Sequence, residues 1–191
     1  MAGLDAQEIV IAGGGAVYTA PIATTAPSNA TTTLPTEWVE LGYHTEDGVT
    51  FSDTPTTEAV RAWQSYYDVR RFTTARAATI GMTLHQWNEE TFKLYFGGGT
   101  ASSPSAGVYS YEPPVPGEDP YQRSVIVEFS DGTERNFRIY AQTTELESAT
   151  EITLNKGASA GLGLVLTVLG SDVGSAWKLL TDDFAFDPAG S

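Results

Sequence analysis

Two alternating runs, Ser124 to Ser130 and Thr133 to Tyr140, flank Asp131-Gly132 and constrain the fold more than any other stretch. A two-residue Asp131-Gly132 turn would set Val127 opposite Asn136. Phe137 and Ile139 would then lie on the other face from Val125, Val127 and Phe129. A three-residue Ser130-Asp131-Gly132 loop moves the register by one. Val125, Val127, Phe129, Phe137 and Ile139 now share a face, and Glu128, Glu134, Asn136 and Arg138 share the other. A slip of one residue turns every side chain over, so the need for one buried face selects the register. The expectation is a type I turn with a G1 bulge and Gly132 left-handed at the third loop position. An antiparallel hairpin with one apolar face requires a second layer to cover that face.

Other segments supply that layer. Thr74 to Gln86 alternates, with Ala78, Ile80, Met82 and Leu84 on one face and Thr79, Thr83 and His85 on the other. Gly161 to Leu169 aligns Leu162, Leu164, Leu166 and Val168. Glu8 to Ala20 is predicted as a strand interrupted at Gly13-Gly14-Gly15. Asp68 to Phe72 is a further short strand. Glu37 to Thr45 and Val49 to Phe51 are predicted as a hairpin about Glu46-Asp47-Gly48. Thr56 to Trp63 is predicted as a short irregular or helical piece.

One helix is predicted, over 89–96. Asn88 is a good N-cap, and Glu89 and Glu90 place charge where the helix dipole favours it. Trp87 and Phe92 have the spacing of a hydrophobic staple, and Gly97 suits the left-handed position beyond the last turn. Residues 19–36 are rich in Thr, Ala and Pro and nearly uncharged, which predicts an extended arm. Residues 97–120 are predicted as a long loop with a strand possible at 108–111, and residues 171–191 as an acidic tail docking through its aromatics. The whole, 1–191, forms one mainly β domain: strand and arm to residue 36, a β core over 37–170, then the tail.

Several function classes are disfavoured. The chain lacks cysteine, so it has neither disulfides nor thiolate metal sites. No apolar run is long enough for a membrane-spanning helix, and residues 1–8 have no basic segment before an apolar one. Net charge is −14, the wrong sign for gripping phosphates. It suits solubility equally with a surface that repels DNA. His44 and His85 sit in strands without metal-ligand spacing. Gly13-Gly14-Gly15 and Gly97-Gly98-Gly99 lack the Lys-Ser/Thr and the strand-to-helix placement of a phosphate loop. Carboxylate pairs at 46/47, 89/90, 118/119 and 182/183 are expected by chance in so acidic a chain. Catalytic, cofactor and metal sites are therefore not expected. Arg61, Arg70, Arg71 and Arg76 form the basic cluster, and pairing with acidic groups of a neighbouring copy is the preferred role.

Two segments carry a resemblance. Leu41-Gly42-Tyr43-His44-Thr45-Glu46-Asp47-Gly48-Val49-Thr50-Phe51 is followed by Thr83-Leu84-His85-Gln86-Trp87-Asn88-Glu89-Glu90-Thr91-Phe92-Lys93-Leu94-Tyr95-Phe96-Gly97-Gly98. This resembles the major tail proteins of long-tailed bacteriophages (siphophages), especially those infecting actinobacteria. The match is strongest over Trp38 to Gly98, with a weaker echo in Gly15 to Pro21. The resemblance implies a β-sandwich or barrel-like tail-tube core flanked by one helix. It implies a non-enzymatic virion protein, assembled in host cytoplasm, stacking in rings that are usually six-fold. In that family an early arm commonly reaches onto a neighbour. Partners would be further copies of the chain, a tape-measure protein and a tail terminator, with DNA passing the lumen without tight binding and no membrane contact. Two other readings stay open: a capsid-decoration or carbohydrate-binding β-sandwich, and a hydrolase with an unmarked carboxylate pair.

Overall fold

The computed structural model describes residues 8–133, 135–170 and 174–187. The chain is mainly β, with strands β1 (Gly14–Pro21), β2 (Val39–Glu40), β3 (His44–Arg61), β4 (Asp68–Leu84), β5 (Thr100–Ser105), β6 (Val108–Glu112), β7 (Arg123–Asp131), β8 (Arg135–Ala149), β9 (Leu162–Val168) and β10 (Trp177–Thr181). Helix α1 spans Glu89–Phe96. The main sheet runs β2-β1-β7-β8-β9-β4-β3, with β10 also on β8, and its two ends stay unjoined. The pairings are antiparallel.

Strand β8 makes this sheet sandwich-like. Its first part pairs with β7 on one edge and, over Phe137 to Ala141, with β10 on the other. Its last part, from Thr144, pairs with β9. The two halves thus share one long strand and face each other across the core. Val17, Val125, Val127 and Ala141 from one half meet Ile80, Met82, Leu84, Leu164 and Leu166 from the other. The predicted alternations on β4 and β9 are the buried faces: Ala78, Ile80, Met82, Leu84, Leu162, Leu164, Leu166 and Val168 are all buried.

The β7–β8 hairpin has the predicted facing but not the predicted loop. Val127 pairs with Ile139 and Phe129 with Phe137, so the apolar set shares a face. Asp131 pairs with Arg135, so the turn lies after Asp131 and not at 130–132. Gly132 has φ +64°, left-handed as expected, but stands first in the turn. The reason is that moving the loop by two residues leaves every side chain on its face. Cross-strand chemistry then decides: this register stacks Phe129 on Phe137 at 5.0 Å and sets Glu128 beside Arg138. The loop at 130–132 would have put Phe129 against Thr133 and Val127 against Arg135. Glu134 lies outside the described residues.

Other expectations need correction. Thr56–Trp63 is not irregular or helical: through Arg61 it continues β3. The two strands predicted over 68–86 are one, β4. Glu46-Asp47-Gly48 is a bulge within β3, not a hairpin turn. His44 pairs with Leu84 and Val49 with Met82, leaving four residues on β3 facing one on β4. Residues 37–45 belong elsewhere, because Val39 and Glu40 pair with β1. Strand β1 starts only at Gly14, and of the three glycines Gly15 serves close approach: a Cβ there would stand 2.4 Å from the Glu128 carbonyl oxygen. Within the predicted loop 97–120 the strand possible at 108–111 is present as β6, and it pairs with β5, which was not expected, in a β-hairpin.

The arm is extended, but it lies on its own sheet. Trp38, Leu34 and Ala26 pack against Ile126, Ala20 and Tyr140, covering the outer face of β1, β7 and β8. Arg138, 3% exposed, holds it there. Its Nη1 donates to the Asn29 carbonyl at 2.7 Å and its Nη2 to the Thr32 carbonyl at 3.1 Å, while its Nε donates to Glu128 at 2.6 Å. A guanidinium presents donors in several directions at once, which a point charge does not. In the tail, Trp177 docks edge-on against Phe51 at 4.7 Å, whereas Phe184 and Phe186 stay exposed.

Helix α1 is as predicted. Asn88 accepts from the Thr91 amide and the Thr91 hydroxyl accepts from the Asn88 amide, each at 3.0 Å. Thr91 takes the place usually held by Glu or Gln in a capping box. Trp87 and Phe92 pack edge-to-face at 5.1 Å. Gly97 has φ +71° and ψ +34°.

Candidate assembly surface

The β3–β4 hairpin outruns the core. Below Asp53 and Ala78 its inner face is packed; above them every strand residue, Thr54 to Arg61 and Asp68 to Ala77, is exposed. At about 3.3 Å per residue the eight residues from Thr54 extend about 26 Å. A two-stranded ribbon exposed on both faces is only marginally stable alone. Ion pairs reinforce it. Arg76 grips Asp53 with Nε and Nη2 at 3.1 and 2.9 Å, and Arg61 meets Asp68 at 3.1 Å. Asp53 also accepts from Trp177 Nε1 at 2.9 Å, which ties β10 to the base of the hairpin. The Arg76 hydrogen bonds, then that from Trp177, hold the Asp53 carboxyl below its ordinary range.

All four arginines of the sequence-predicted cluster are on this ribbon, but not on one face. Residues directly opposite across an antiparallel pair share a face. Ala59 faces Arg71 and Pro55 faces Arg76, so Arg71, Arg76 and Arg61 continue the inner face. Val60 pairs with Arg70, on the opposite face with Glu58 and Phe72. Arg70 and Arg71 make no ion pair among the described residues. Residues 53–77 carry four arginines against three carboxylates, so the remainder of a chain of charge −14 carries −15. The tip presents Trp63, Tyr66 and Tyr67, all but fully exposed. Sequence reasoning missed these aromatics. Their signal was three large rings within five residues of a polar, turn-like stretch.

The opposite end of β3 borders a groove of about 970 Å³ between the β3 bulge and the ends of β1, β7 and β8. Its walls include Val49, Phe51, Val127, Phe129 and Ile139, and Glu40 and Glu46 stand at its edge. His44 also lines it. Burial pushes the His44 imidazole below its ordinary pKa of 6.5 despite nearby Glu40, and its Nε2 has no hydrogen-bond partner among the described residues. His85, by contrast, bonds Ser159 through Nδ1. Among the described residues no three His, Cys, Asp or Glu side chains come together in a way that would hold a metal. A second cleft, about 590 Å³, lies between α1 and β5–β6, lined by Trp87, Phe92, Tyr109 and Tyr111 with serines.

A family model described as phage tail tube protein matches residues 2–191. The chain belongs to the phage tail tube proteins. The match spans nearly its whole length. No curated protein matches the sequence. The chain is thus a structural tail tube protein of the phage virion, and the family is not one of enzymes. As a tail tube protein it self-assembles with further copies of itself. Its surface is divided accordingly: an exposed, arginine-bearing ribbon and a strongly acidic body. Asn88, Gly97 and Gly132 serve the domain itself, as cap, helix stop and turn.

Proposed function

We propose that this chain stacks in rings, six copies to a ring, to form the tail tube through which a siphophage ejects DNA into its host, an actinobacterium by the sequence resemblance. The exposed β3–β4 ribbon carries this reading. A monomer gains nothing from some 26 Å of hairpin with no core, whereas a copy beside it supplies the missing contacts. Arg61, Arg70, Arg71 and Arg76 are the proposed subunit-contact residues, reaching carboxylates of neighbouring copies. Assembly takes place in host cytoplasm, and a tape-measure protein and a tail terminator set the tube's length and end.

The acidic body supports a lumen that does not hold DNA. Duplex carries about one negative charge per 1.7 Å, and an acidic or neutral wall lets it slide. Purified protein at high concentration, viewed by negative-stain microscopy, should show rings or tubes. A monomer at every concentration would refute the reading. A duplex-binding assay at low salt should detect nothing near the micromolar affinity of non-specific binders, and saturable tight binding would refute the conduit.

A further inference from the structure

The geometry points to a head-to-tail contact in which the hairpin tip of one copy, Trp63, Tyr66 and Tyr67, fills the groove at the base of β3 in a second copy. This rests on the self-assembly reading above. Tip and groove cannot meet within one chain. They sit at opposite ends of the same strand, and the ten residue steps from Phe51 to Arg61 separate them by about 33 Å. Each copy thus carries a projection and a receptacle that do not coincide, and pairing them is a heterologous contact. Such contacts generate rings or filaments, whereas a self-complementary patch stops at a dimer.

The two surfaces match in chemistry. The tip offers three exposed aromatic rings, the residue type that anchors buried centres of interfaces. The groove offers apolar walls from Val49, Phe51, Val127 and Phe129. Charge agrees as well. Arg70 and Arg71, a few residues behind the tip, make no ion pair among the described residues. Glu40 and Glu46 at the groove's edge make no salt bridge among the described residues either. Opposite charges placed around an apolar centre steer encounter and fix orientation.

The test uses two full-length variants. One replaces the tip, Trp63→Ser with Tyr66→Ser and Tyr67→Ser; the other reverses the groove's edge, Glu40→Arg with Glu46→Arg. All five side chains are exposed, so each variant should melt with the wild type. Alone, each should need a roughly 30-fold higher concentration to assemble, the effect of losing one interface hot spot. Mixed at equal amounts, they should form 1:1 dimers by sedimentation and stop, because only one intact projection and one intact receptacle remain per pair. Wild-type protein that assembles while both variants do so unimpaired overturns this contact and leaves the tube reading standing. Wild-type protein that never assembles overturns both. Groove variants that melt early yet assemble normally would show the groove to be filled by the chain's own segment, which also refutes the contact.

Discussion

Arg138→Ala should be the most damaging single change on the outer face of the sheet. The arginine is 3% exposed and serves three acceptors, Glu128 and the carbonyls of Asn29 and Thr32. Removing one partner of a buried ion pair costs about 3–5 kcal/mol. Glu128 keeps a side-chain exposure of 25%, so water recovers part of its solvation and the low end, about 3 kcal/mol, applies. The two carbonyls belong to exposed residues and rehydrate, adding together about 1 kcal/mol. The sum is about 4 kcal/mol, which for a domain of this size lowers Tm by about 8–16 °C. Urea unfolding should show a lower midpoint with an unchanged slope. Limited proteolysis should now cut within residues 22–38. Arg138→Lys should recover only part of the loss, since an ammonium cannot reach three acceptors in the same geometry. A loss below 1 kcal/mol, or an arm still protected from protease, would refute the idea that this residue pins the arm to its own sheet.

Gly132→Val should destabilise by about 1–2 kcal/mol, the left-handed penalty, and Gly132→Asn by less. A Cβ there meets nothing within 4 Å, so backbone strain alone is read out in urea melts. Asn88→Ala should cost about 1 kcal/mol in the same assay through lost capping. Stability should also depend on pH through His44. Its pKa is lowered by burial from 6.5, so the unfolded chain binds the proton more readily. The contribution is full above pH 6.5 and is lost as pH falls through the folded-state value. Comparing wild type with His44→Phe across that range isolates the effect, and parallel curves would refute it.

How much of this was legible followed from where the constraint lay. Helix α1 was readable residue by residue because its signals are local: Asn88, the Trp87–Phe92 staple and Gly97 all act within one or two turns. Strands β4 and β9 were readable where one face is buried, since alternation records burial. The same strand β4 was misread above Ala78 for the converse reason. Both faces meet water there, alternation disappears, and the bulges between Thr56 and Thr57 and between Val60 and Arg61 break what pattern remains. The β7–β8 facing was legible and the loop was not, because a two-residue shift leaves facing unchanged. The fate of the arm was legible only through Arg138. The alternation places Arg138 with Glu128 and Asn136 on the face away from the apolar set, yet its donors need carbonyls that residues 29–32 bring. The assembly surface was half legible: the arginines stood out in an acidic chain, the aromatics of the tip did not.

Folding and assembly should therefore be separable in this chain. Pro55 pairs with Arg76 across the ribbon, so residues 56–75 can be replaced by Asn-Gly, which favours a tight two-residue hairpin turn. The cut spares the Arg76–Asp53–Trp177 junction at the base. It removes no residue of the buried core. The strand pairs lost are solvent-exposed and only marginally stabilising, and shortening the connection lowers loop-closure entropy slightly. Thermal stability should stay within about 1 kcal/mol of the wild type, while rings and tubes disappear from micrographs at every concentration. Tubes of normal diameter from the shortened chain would mean that the ribbon is dispensable and that assembly runs through other surfaces. A shortened chain that fails to fold would mean the ribbon stabilises the monomer after all, which its exposure argues against.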